Sequence, residues 1–134
     1  MHDLVERSRP LVEASDGLFD PAVGGLVAAW GFHTSTFPVV TPAPGPQALE
    51  DWRAHRPRLA SVRREGEALA SDDPRVQLDF GAIAEGVAAA DVVAILRRHG
   101  VANALVSLGG DVLAHGDAGG RPWDVALRDP FGGV

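Results

Sequence analysis

The residues best placed to do chemistry lie in Leu78-Asp79-Phe80-Gly81-Ala82-Ile83-Ala84-Glu85-Gly86, where a carboxylate ends an apolar stretch, small residues follow, and a helix begins. Free amides at a helix start favour anionic groups, and small side chains let a ligand reach the backbone, so a nucleotide could sit here with Asp79 accepting hydrogen bonds from a base or ribose. The plainer alternative is that Asp79 caps the helix and the glycines relieve packing. The dinucleotide fingerprint G-x-G-x-x-G is absent from this stretch. Leu108-Gly109-Gly110-Asp111 offers a second place where backbone could be approached, although a Gly-Gly turn or bulge accounts for it equally simply. The five histidines (2, 33, 55, 99 and 115) show no metal-ligand spacing, and no serine lies in a G-x-S-x-G elbow. Trp30, Trp52 and Trp123 read as core or loop anchors rather than stacking platforms.

These residues must be positioned by neighbouring elements, and the spacing of apolar residues predicts which. Leu4, Val5, Leu11 and Val12 recur at helical spacing before Asp16-Gly17, despite Pro10. Asp20-Pro21 reads as a helix start running to about Trp30, and Gly24-Gly25 inside it implies that something approaches the backbone closely. His33 to Pro46 carries prolines at 38, 42, 44 and 46 and reads as a surface loop, and 46–56 as a short helix. Strands are expected over 59–62 and 76–80, separated by Ser71-Asp72-Asp73-Pro74. The strongest helical signal runs from about Ile83 to Arg98 and closes at Gly100, with Ile83, Val87 and Ile95 sharing one face. Strands then follow over 104–108, 112–114 and 123–127. This order argues for an α+β (mixed α/β) fold.

Composition narrows the function classes. At 134 residues and 14.0 kDa the expectation is one domain over 1–134. Twelve basic against eighteen acidic side chains leave a net charge of −6, which opposes binding to nucleic acid or anionic lipid. The absence of cysteine removes thiolate metal sites, thiol nucleophiles and disulfides from consideration. The apolar runs are too short for a transmembrane segment, and 1–6 has no basic start leading into an apolar stretch, so no export signal is expected in these residues.

Three segments in series resemble a known family. Asp16-Gly17-Leu18-Phe19-Asp20-Pro21-Ala22-Val23-Gly24-Gly25-Leu26-Val27, with Trp30-Gly31-Phe32, resembles the G-x-F-D-x-T-V-x-P-L … W-G-F segment of the FAD:protein FMN transferases, the ApbE-like family. Residues 79–86 are similar to its D-x-G-[GA]-I-A-K-G. Asn103 to Asp111, Pro122-Trp123 and Arg128-Asp129-Pro130 are similar to its N-x-L-[VI]-x-x-G-G-D … P-W … R-D-P. The resemblance implies a Mg²⁺-dependent enzyme that cleaves FAD and transfers FMN to a Ser or Thr hydroxyl of an acceptor protein. It implies that Leu18, Phe19 and Asp20 line the FAD site, that Asp79 and the position of Glu85 meet the nucleotide, and that Ala82 offers its carbonyl to Mg²⁺. No catalytic residue is assigned by it. It further implies a single partial domain without the family's N-terminal and C-terminal portions, and work outside the cytoplasmic membrane or in association with it. Glu85 stands at the usual Lys, Ala22 at the usual Thr and Gly25 at the usual Pro. Two alternatives stay open beside an active transferase: a flavin-binding relative that no longer transfers FMN, and a non-catalytic structural or interaction domain.

Overall fold

The computed structural model describes residues 1–127, 129, 131 and 132, so Arg128 and Pro130 of the third motif lie outside the described residues. The fold is α+β, and the chain divides into two compact units, Met1–Phe80 and Gly81–Val134.

The first unit begins with α1 (His2–Ala14), which contains Pro10 and still ends in a regular turn. Its buried stripe is Val5, Ser8 and, more partially, Val12, while Leu11 faces outward at 47% exposed. Ser8 belongs inside because its hydroxyl donates to the Leu4 carbonyl at 2.7 Å, which removes the cost of burying it. Asp16 and Gly17 turn the chain with φ of 50° and 73°, and a 3₁₀ turn, Pro21–Val23, leads into α2 (Gly24–Ala29). Gly31 has φ of 80°, and a Cβ there would collide with the Thr41 side chain, so the proline-bearing loop folds back on it. Helix α3 (Pro46–Ala54) follows, starting with Pro in the first turn, where no amide donor is lost.

The expected strand at 59–62 is instead a 3₁₀ turn, Leu59–Ser61, running into β1 (Val62–Glu65), which pairs antiparallel with β2 (Ala68–Ser71). Only Val62 of β1 is buried, so no alternation in the sequence marks this hairpin. Segment 76–80 forms no ladder. It packs Val76, Leu78 and Phe80 on the core of Val5, Leu59 and Val62, together with Val12 and Leu69. Fully burying each of the aliphatic side chains at the centre contributes about 1.5–3 kcal/mol.

The second unit is α4 (Ala84–Arg98) packed on the antiparallel hairpin β3 (Ala104–Leu108) and β4 (Asp111–His115). Its buried residues are Ala89 and Val93, with Leu96 half-buried, and Val92 and Ile95 are exposed. The inward face is therefore rotated from the one the large aliphatics suggested. Small Ala89 lets the helix approach the strands closely. Gly100, at φ of 80°, closes α4 as expected. Residues 123–127 form no strand; the Trp123 indole donates instead to the His115 carbonyl at 3.2 Å.

Candidate functional site

Two of the motif segments are joined through backbone. The Asp79 amide donates to the Pro21 carbonyl at 2.8 Å, and the Gly24 amide donates to the Gln77 carbonyl at 2.8 Å. A Cβ on Gly24 would stand 2.6 Å from that same carbonyl oxygen, which explains a glycine inside a helical segment. Gly25 has no such restraint, its nearest neighbour being the Gln77 side-chain oxygen at 3.9 Å. The close approach expected at the glycine pair thus belongs to Gly24.

Leu18, Phe19, Asp20 and Asp79 consequently share the first unit, in three different environments. Asp20 is 3% exposed, and its carboxylate accepts from the Ala22 amide at 2.9 Å and from the Leu59 amide at 3.0 Å. Its carboxylate caps the 3₁₀ turn and ties it to the core through Leu59. Leu18 is the opposite case, an aliphatic side chain 89% exposed. Phe19 and Asp79 are half-buried. The corner that carries Leu18 is held on both sides: the Phe19 amide donates to Ser15 Oγ at 3.1 Å, and Arg56 Nη2 donates to the Gly17 carbonyl at 2.6 Å. Arg56, which no sequence motif flagged, stands over the Trp52 ring at 5.6 Å. The signal that could have found it is its spacing four residues after Trp52, just past the C-cap His55 of α3. A concavity of about 540 Å³ opens nearby, lined in part by Gly25, Trp52, His55 and Gln77.

Ala82 and Glu85 lie in the second unit. Ile83 takes the N-cap position of α4 without a side-chain cap of its own. The Glu85 carboxylate occupies the space where a Cβ on Gly109 would be. Gly109 and Gly110, at φ of 59° and 115°, form the two-residue turn between β3 and β4, with Leu108 paired to Asp111. Positive φ at both central residues is the requirement of a type I′ turn, so the turn reading of Gly109-Gly110 holds. Among the described residues no three His, Cys, Asp or Glu side chains cluster as metal ligands. Mg²⁺ takes near-octahedral oxygen, and Ala82 can offer one carbonyl. These residues alone therefore do not fit the ion. No helix among the described residues is long and apolar enough to cross a membrane.

The whole chain, residues 1–134, matches the ApbE family. It is 43% identical over 128 residues to the FAD:protein FMN transferase of Rhodobacter capsulatus, covering 96% of this chain and 24% of that protein. To the FAD:protein FMN transferase of Treponema pallidum it is 33% identical over 143 residues, covering 98% and 40%. The solved flavin transferase ApbE from Vibrio cholerae superposes with a TM-score of 0.77 at 30% identity, over 96% of this chain and 41% of that one. The ApbE protein from Thermotoga maritima gives a TM-score of 0.82 at 28% identity, over 98% and 43%. The chain thus spans 24% to 43% of the length of these relatives. With the motif order, the α+β architecture and the full-length match in agreement, the chain belongs to the ApbE family.

Proposed function

We propose that this chain contributes part of the FAD site of an FAD:protein FMN transferase. The observation that supports it best is the pair of backbone hydrogen bonds that set Asp79 beside the Leu18–Asp20 corner, since these are the positions the family motifs connect with FAD. In this reading exposed Leu18 gives an apolar surface to a flat heteroaromatic ring, Phe19 backs it, and Asp79 accepts hydrogen bonds from the nucleotide. Asp20 contributes by fixing the corner.

The reaction is a phosphoryl transfer. A Ser or Thr hydroxyl of the acceptor protein attacks the phosphorus on the FMN side and gives up its proton to solvent, a phosphoester bond forms as the pyrophosphate P–O bond breaks, and AMP leaves with the electron pair. Protein groups act mainly by positioning and by electrostatics in such a reaction. The chain has twelve arginines and no lysine, so the permanently charged side chains it offers to phosphate are guanidinium groups. Work outside the cytoplasmic membrane, or in association with it, belongs to the same proposal and rests on the resemblance alone.

Glu85 supports a second reading, a flavin-binding relative without transfer, because it puts an anion at the family's Lys position. Titration of the chain with FAD, followed by flavin fluorescence with and without Mg²⁺, tests both readings. Saturable binding that Leu18→Ser weakens about tenfold is the expected result, roughly the value of one buried aliphatic contact. A folded chain that leaves flavin fluorescence unchanged overturns the proposal. A gain in affinity from Glu85→Lys favours the degenerate relative.

A further inference from the structure

Arg56 is half-buried and sits in a setting unlike that of a surface arginine. Its hydrogen bond goes to a backbone carbonyl, that of Gly17, at 2.6 Å, although the chain is rich in carboxylates. Its Nε is buried with no acceptor among the described residues, and so is Nε1 of Trp52, the ring beneath it. Buried donors without partners are costly, so a side chain retained in this arrangement calls for an explanation. Gly17 itself is buried, has φ of 73°, and would place a Cβ 3.3 Å from Arg58 Nη1. It is the hinge from which Leu18 projects. One residue beyond Leu18, the Phe19 amide is tied to Ser15, and next to that the Asp20 carboxylate is tied to Leu59.

From this we infer that Arg56 is a positioning residue, a guanidinium strut that locks the Gly17 carbonyl and thereby presents Leu18 to the ligand. This rests on the flavin reading above and adds to it a residue outside the family motifs. Arg56 touches no ligand itself. Trp52 helps to hold it through a cation–π approach, the guanidinium carbon standing 5.6 Å from the ring centroid.

The test compares Arg56→Met and Arg56→Lys with the unchanged chain in two measurements. Amide hydrogen exchange at Leu18, whose amide donates to the Ser15 carbonyl at 3.0 Å, and at Phe19 reads the corner directly. Exchange there is expected to accelerate in Arg56→Met while the amides of α4 keep their rates. FAD affinity is expected to fall about tenfold in Arg56→Met, the scale of one hydrogen bond from a charged donor, and less in Arg56→Lys, which keeps a cationic donor. In a Leu18→Ser background, Arg56→Met is expected to change affinity less than about twofold, because the residue acts through Leu18. Equal losses with and without Leu18 overturn the inference, as does unchanged exchange or unchanged affinity. If Arg56→Met fails to fold, the same comparison in Arg56→Lys decides. An unchanged chain that does not bind FAD sinks the flavin reading and this inference together; one that binds FAD while the Arg56 variants match it sinks this inference alone.

Discussion

Replacing Asp20 by alanine tests the view that its carboxylate is a structural tie. Two buried amides, of Ala22 and of Leu59, lose their acceptor, in residues 0% and 1% exposed. Leaving a buried donor unmatched costs about 1–3 kcal/mol, and losing a cap typically costs about 1 kcal/mol. Taking about 1 kcal/mol for Ala22 and about 2 kcal/mol for Leu59 gives a loss of about 3 kcal/mol. For a chain of this size each kcal/mol lowers Tm by roughly 3–5 °C, so a fall of about 10 °C is expected. Asp20→Asn keeps the Oδ1 acceptor shared by both amides but loses the charge and the longer 3.3 Å contact of Oδ2 with the Leu59 amide, and should cost about 1 kcal/mol. Exposed Asp111→Ala serves as the control, within about 0.5 kcal/mol of the unchanged chain. Urea and thermal melts followed by circular dichroism measure all three. An Asp20→Ala loss below about 1 kcal/mol would refute the reasoning, since it would mean that the amides find water or another acceptor.

Two further expectations concern particular positions. Gly24→Ala gains helix propensity but drives a methyl into the Gln77 carbonyl, and it should destabilise by about 1–3 kcal/mol in the same melts; a stabilised variant would show that the segments can separate freely. The Asp73 carboxyl is held below its ordinary value of 3.8, first by the side-chain hydrogen bonds of Arg75 and then by the Arg75 amide. Because the folded value is depressed, this contribution is fully present above 3.8 and is lost as pH falls through the lower folded value. Arg75→Gln should move the NMR titration midpoint of Asp73 upward, and an unmoved midpoint would remove Arg75 as the cause.

The elements that signal themselves do so through local chemistry. Helix α4 is followed by a positive-φ glycine and β3 is aliphatic apart from Ser107, so their bounds follow from sequence almost residue for residue. Gly24-Gly25 likewise announces a close approach. The face of α4 was not legible, because alanines surround it and burial is decided by the hairpin it meets. Nor was β1, whose Arg63, Arg64 and Glu65 are all exposed. At the candidate site, Leu18, Phe19, Asp20 and Asp79 are visible as motif positions. Their division into one buried tie and one exposed contact is not, since Leu59 and Arg56 come from distant parts of the chain.

That distance matters while the protein is being made. The amide that Asp20 accepts from Leu59 lies 39 residues further along, and the Val62 carbonyl that receives Arg9 lies 53 residues beyond it. At about 5–20 residues per second, the ribosome takes seconds to deliver either partner. Throughout that interval the Asp20 carboxylate is hydrated and the Leu18 corner has nothing to close against. The tie between this corner and the core is therefore closed to the early nascent chain and forms only once Leu59 has left the ribosome.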